Sequence, residues 1–359
     1  MSIFSRYSHV MSFKPIFKKA AVLFALVILA GCKSGEDPAP TFDRDIYILG
    51  GDSFGAATRT DFYWKNGTRH LISDNNTAFF TNQILVQNDE VIVTGNRFYD
   101  SNWRSNYWSG GEFFTYSGFE DVTIVFMIFE GQDQYLLGFT GQAGTREDKT
   151  YFYARNGVRT DLPGTTSAQL QGIAVHNGEV HVIAEATTAT FNDYTPLYWI
   201  DGELQTLDTE GLTSPRLYDI EIENGNVYLL GSTRDQERAA GNPVIWANGQ
   251  RTVLNPGLYE TTATDLAVEN GNTYVLGGGK NDMDERIGFY YENNSCHVVN
   301  SGDNVSCFQR QIAVVEGHIY IVGIVRYPDD SQSGLFLIDN EPQEFEVSNN
   351  SYFIGIHVE

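Results

Sequence analysis

Gly-Ile-Ala-Val-His-Asn-Gly-Glu-Val-His-Val-Ile-Ala, residues 172 to 184, decides the fold. An apolar run meets an Asn-Gly turn and a second apolar run follows. This is a β-hairpin pattern, because Asn and Gly tolerate the positive φ of tight hairpin turns. The same unit reads Gln-Ile-Leu-Val-Gln-Asn-Asp-Glu-Val-Ile-Val-Thr-Gly at 83–95 and Asp-Ile-Glu-Ile-Glu-Asn-Gly-Asn-Val-Tyr-Leu-Leu-Gly at 219–231, and it returns at 265–277 and 311–323. Its second half begins at Ile46, Val91, Tyr135, Val180, Val227, Thr273 and Ile319, at intervals of 45, 44, 45, 47, 46 and 46 residues. So even a spacing marks a repeat architecture.

Each period holds a second hairpin, typified by Phe62-Tyr63-Trp64-Lys65-Asn66-Gly67. Its aromatic position is Trp64, Trp108, Tyr153, Trp199, Trp246 and Tyr291, with Leu337 in the divergent last copy, and its turn position is Gly67, Gly111, Gly157, Gly202, Gly249, Asn294 and Asn340. No stretch after residue 45 has helical periodicity. Two hairpins make a four-stranded sheet too small to stand alone, and seven such sheets around an axis make an all-β, seven-bladed β-propeller. The chain enters the unit at its second strand (Ile46–Gly50) and ends on its first (Gly355–Val358), so the C-terminal strand is predicted to complete the N-terminal blade.

Composition narrows the classes. The 359 residues carry 46 acidic and 23 basic side chains, a net charge of −23, with 42% hydrophobic residues and 3 cysteines. That excludes a wholly disordered chain, a disulfide scaffold and a nucleic-acid binder, which needs positive charge to release counterions. At the N-terminus, Lys14, Lys18 and Lys19 precede an apolar run of about 11 residues, too short for the roughly 20 of a membrane span and suited to a cleaved signal peptide. Leu29-Ala30-Gly31-Cys32 resembles the lipobox of bacterial lipoproteins. The resemblance implies acylation of Cys32, membrane lipid as a partner, and a place in the cell envelope; Lys33 after the cysteine implies the outer membrane, and Glu36 with Asp37 implies surface exposure. The organisation read from the chain is then a signal peptide (1–31), an acylated cysteine with a flexible tether (32–44), and the propeller (45–359). The last leaves 315 residues, 45 for each of seven copies.

Ile46-Tyr47-Ile48-Leu49-Gly50-Gly51 and Tyr274-Val275-Leu276-Gly277-Gly278 resemble kelch repeats in part. The nearer likeness is to bacterial outer-membrane lipoprotein propellers built on Tyr-Trp-x-Asn-Gly repeats. That likeness spans residues 45–359 and implies fold and location rather than an activity.

Four places carry candidate chemistry. Arg97, Phe98, Tyr99, Trp103 and Arg104 fall in an expected long loop, Asn96 to Asn106, where aromatic faces beside charged groups suit a sugar ring or a protein hot spot. The inner strands begin with a ring of equivalent positions, Gln83, Met127, Gly172, Asp219, Asp265, Gln311 and Gly355. Asn82, Phe126, Gln171, Tyr218, Thr264 and Arg310 precede them. Asp219, Asp265, Arg310 and Gln311 are therefore the candidate channel pocket, and paired carboxylates there suit acid–base chemistry or, more plainly, hydrogen bonds to neighbouring backbone. Asp282, Asp284 and Glu285 offer oxygens to Ca²⁺ without EF-hand spacing, so no cofactor is assigned. Cys296 and Cys307 flank a loop and are a disulfide candidate in an oxidising compartment. No zinc set, catalytic triad, Gly-x-Ser-x-Gly elbow, phosphate loop or sialidase-type Asp box is read from the sequence, and no catalytic residue is assigned. The leading expectation is a noncatalytic binding or scaffold module for a glycan or protein partner. The alternatives are a glycan-active hydrolase or lyase using the channel carboxylates, and a structural partner in an envelope complex.

Overall fold

The computed structural model describes residues 43–53, 59–72, 79–99, 102–120, 122–140, 149–165, 167–187, 194–234, 241–293, 295–299, 306–343, 345 and 350–359, all within one compact unit, Pro40–Glu359. Cys32 lies outside them. They form 28 strands, β1 (Ile46–Ser53) to β28 (Ser351–Val358), and no helix. These make seven four-stranded antiparallel sheets, a seven-bladed β-propeller. The first blade is ordered β28-β1-β2-β3, with β2 at Arg59–Lys65 and β3 at Thr68–Leu71. The C-terminal strand does complete the N-terminal blade, pairing Ile46 with Val358 and Leu49 with Gly355.

The turns have two reasons for their Asn. Asn66, Asn156, Asp201 and Asn248 hold φ near +50°, each followed by a glycine that is also at positive φ. The side chain of this turn residue also accepts a backbone N–H from the second strand of its own blade. Asn66 takes Ile46 at 2.8 Å, Asn156 takes Gln134, Asp201 takes Val180, Asn248 takes Val227, Asn293 takes Thr273 and Asp339 takes Ile319. Six of the seven blades are stapled in this way; the second blade, with Gly110 at that place, instead has Ser109 bonded to Glu90 and Val91.

The repeat's aromatic position is buried in every copy, and the hydrophobic clusters join neighbouring blades. Tyr153 and Leu162 of the third blade pack in one cluster with Val182 and Trp199 of the fourth. The buried Trp199 and Trp246 donate their indole N–H groups to Pro163 and Asp208, in the links from the preceding blade. Buried aromatics thereby stay hydrogen-bonded where strands cannot serve them.

The innermost strands are β4 (Phe79–Gln87), β8 (Val122–Glu130), β12 (Ala168–His176), β16 (Arg216–Glu223), β20 (Tyr259–Glu269), β24 (Ser306–Val315) and β28, and they adjoin one another around the axis. All seven carry a β-bulge at an equivalent place, where one extra residue slips past the pairing with the second strand. The bulge explains the glycine that ends six of the hairpins. A Cβ on Gly50, Gly95, Gly138, Gly231, Gly277 or Gly323 would strike the carbonyl oxygen three residues before the ring position of the facing strand. In the fourth blade Ala184 occupies this place, opposite Leu170.

Candidate functional site

The residue that follows each bulge faces the next blade near the axis. These residues are Gln83, Phe126, Gly172, Asp219, Asp265, Gln311 and Gly355. One sequence assignment is corrected: Phe126, not Met127, holds the ring place in the third blade, because the bulge there falls at Val125. Met127 is fully buried, and its N–H donates to Gln83 at 3.3 Å.

The polar members share one geometry. Leu266 N–H donates to Asp219 Oδ2 at 2.9 Å, Ile312 N–H to Asp265 Oδ2 at 2.7 Å, and Ile356 N–H to Gln311 Oε1 at 2.8 Å. The inner edge of each first strand has no strand beside it, so its outward N–H groups need an acceptor. The ring side chain of the preceding blade supplies one. On the turn-rich side a second set of contacts repeats the idea: Glu130 accepts from Gly178 N–H, Glu223 from Asn270 and Gly271, and Glu269 from Gly317.

Asp219 and Asp265 belong to adjacent blades, and because Asp219 takes the N–H of Leu266, the residue after Asp265, the two carboxyl groups lie close enough to act on each other's charge. Burial pushes Asp219 up to about 6. Asp265 is raised well above the carboxylate range, by burial first and by the charge of Asp219 second. Two carboxyls this close do not both ionise, so the pair holds a proton between them. Glu221 shares the face of β16 with Asp219. Its side chain is exposed in the channel face, and desolvation, with the charge of Asp219 second, pushes it up to about 8. Glu221 was not among the residues picked from the sequence; its signal was the strict alternation Asp219-Ile220-Glu221 on a strand whose counterparts carry Ala174, Ala267 and Ala313 two residues past the ring.

Arg310 is not part of this cluster. It is the exposed bulge residue of β24, and Asp265 is governed by Asp219, Glu221 and the Ile312 N–H instead. A separate polar contact joins the fourth and fifth blades: buried Glu185 takes the Arg216 guanidinium through two bonds of 2.9 and 2.8 Å, with Gln171 and the Leu217 N–H completing its shell.

The other candidates resolve differently. The expected loop around Trp103 is a long hairpin, with Arg97 paired to Arg104, Phe98 to Trp103 and Tyr99 to Asn102 in β5 (Glu90–Tyr99) and β6 (Asn102–Ser109). The side chains of Phe98, Tyr99 and Trp103 lie outside the described residues. Arg97 lies over the Phe113 ring of its own blade at 4.1 Å, and Arg104 is exposed. Cys296 and Cys307 do not form the expected disulfide: one is exposed in blade six and the other buried in blade seven. Asp284 pairs with Lys280 at 2.9 Å and Glu285 binds Asn281. Among the described residues no three His, Cys, Asp or Glu side chains are grouped to hold a metal ion. The string Gly51-Asp52-Ser53-Phe54-Gly55 has the Gly-x-Ser-x-Gly form. Its Ser53 ends β1, paired with Arg59 of β2, and Phe54 and Gly55 lie outside the described residues.

No protein-family model matches the chain, and no curated protein matches it. Solved structures do. A puromycin-hydrolyzing peptidase of Mycobacterium tuberculosis aligns with a TM-score of 0.57 at 11% identity, over 82% of this chain and 52% of its own. A puromycin hydrolase S511A mutant aligns at 0.57 and 10% identity over 85% and 52%, and another puromycin hydrolase structure at 0.56 and 10% over 86% and 53%. The chain spans about half the length of these proteins. At such identity the likeness is one of fold. These three neighbours are hydrolases, the finding that overturns the expectation of a noncatalytic scaffold for a glycan or protein partner.

Proposed function

We propose that this protein is a hydrolase that cleaves amide bonds at the channel, with Asp219 and Asp265 as its acid–base pair. The observation that carries the reading is the placement of two carboxyl groups on adjacent inner strands, Asp219 bonded to the residue after Asp265, with Glu221 on the face of Asp219. Carboxylates that work on glycosidic bonds stand about 5 Å or more apart, to leave room for the sugar or a water. A close pair that shares one proton suits amide hydrolysis, where one carboxylate takes a proton from water and the other carboxyl gives its own. The water oxygen bonds to the amide carbon as its proton passes to the ionised member, and the protonated member gives its proton to the carbonyl oxygen, leaving a diol. The C–N bond then breaks as nitrogen takes the proton from the first carboxyl, and a diol hydroxyl returns its proton to the second, which leaves the acid product, the amine and the pair as it began. Backbone donors Ile220 and Leu266 on Asp219, and Ile312 on Asp265, hold both groups in place without rotamer search. Neighbours of the fold that are peptidases and puromycin hydrolases support the same bond class.

The test is turnover of a fluorogenic peptide library by the full chain. Asp265→Asn keeps an oxygen for Ile312 N–H, so it should melt within a few degrees of the parent while kcat falls at least 100-fold. No peptide turnover by the parent, equal turnover by the variant, or cleavage of oligosaccharides alone would overturn the proposal.

The address belongs to the same proposal. The lipobox-like Leu29-Ala30-Gly31-Cys32 supports a chain tethered through acylated Cys32 to the outer membrane, with the hydrolase held off the lipid by residues 33–44. Incorporation of labelled palmitate should be lost in Cys32→Ser; retention would sink the anchor and leave the channel chemistry untouched.

A further inference from the structure

A cleft of about 130 Å³ opens between blades six and seven, with neither paired aspartate in its lining. Arg286 reaches its wall from the third strand of blade six, and Arg310 from the bulge of β24. Both are exposed, and neither has an ion-pair partner among the described residues, in a chain with twice as many acidic as basic groups. The nearby acids are already engaged: Lys280 takes Glu260 and Asp284 at 3.0 and 2.9 Å. Between the arginines the cleft is built rather than open. Gln309 is 4% exposed, donates to Cys307 Sγ at 3.1 Å, and fits only because residue 288 is glycine, where any Cβ would overlap its amide. Thr264 adds a hydroxyl.

We propose that this cleft binds a small carboxylate of about the size of one amino acid, independently of the channel chemistry. Two guanidinium groups present planar forks of N–H donors that match a carboxylate in a way a point charge does not. The small size of the cleft suits a ligand with one carboxylate and a short stem. Buried Cys307 and the backbone of Gly278 form a floor for a short apolar stem.

Calorimetric titration of the full chain at low salt decides it, with N-acetylglycine as the probe and N-acetylglycinamide and inorganic phosphate as comparators. The acid should bind, the neutral amide should not, and Arg286→Gln and Arg310→Gln should each weaken the acid at least tenfold without moving the melting temperature. Asp265→Asn should bind the acid like the parent, which separates this site from the proposed active centre. The proposal is overturned if the parent fails to bind the acid, if acid and amide bind alike, if the double arginine variant binds undiminished, or if phosphate binds more tightly than the acid.

Discussion

Blades five to seven and blades three to four close the same ring by different means. Between five, six, seven and one, a side chain after each bulge reaches across and takes a backbone N–H: Asp219 on Leu266, Asp265 on Ile312, Gln311 on Ile356. In blades three and four the same place holds Phe126 and Gly172, which have no acceptor to offer, and Ile220 fills the space beside Gly172. At this one place in the ring, half of the joints are directional polar contacts and the others are packing. The polar half concentrates acid groups where burial opposes their charge, and that is where the proposed chemistry sits.

The largest effect should come from removing what both halves need. Deleting residues 350–359 takes away β28 and leaves the first blade with three strands and the ring open, so the truncated chain should lose its cooperative melt altogether. A surviving sharp transition would mean the ring does not depend on this strand.

Next, Gly231→Ala in the polar half should destabilise by about 3 kcal/mol in urea titration, since its Cβ would strike the Arg216 carbonyl at the bulge. The converse, Ala184→Gly in the apolar half, should cost only about 1 kcal/mol. Equal effects would remove the bulge as the reason for the glycine.

The pH dependence is smaller and has a defined sign. Asp219, Glu221 and Asp265 have folded pKa values raised above those of an unfolded chain, about 4. Their contribution is therefore fully present below pH 4 and is lost as pH rises through about 6 and then about 8. The urea midpoint at pH 9 should lie below that at pH 5, and Asp265→Asn with Glu221→Gln should flatten this slope. A midpoint that rises with pH in the parent would contradict the buried-acid assignment.

Smallest is Gly172→Ala. The new Cβ would sit 2.9 Å from the Ile220 methyl, a side-chain contact that can shift, so about 1 kcal/mol is expected by thermal melt.

Much of this was legible in the chain. The Asn-Gly turns announced the hairpins because positive φ is a local demand, and the 45-residue period announced the blades because each blade must repeat the same packing. The ring itself was found, with an error of one residue at Phe126, since a bulge adds a residue without altering the apolar pattern around it. The Trp103 segment was misread as a loop because its polar, aromatic sequence resembles a connection, while its strands simply extend past the sheet's core. The cysteine pair looked close in number, yet the chain turns from one blade to the next between them.

What the sequence determined by itself was therefore the element type, the blade count and the closure by the last strand, all of which follow from short-range patterning. Only the tertiary structure decided that Asp219 meets Asp265, that a carboxylate accepts an N–H 47 residues away, and that Arg286 and Arg310 share one cleft. Those contacts lie between blades, and they depend on the rotation of one sheet against the next, which packing sets and no period in the chain encodes.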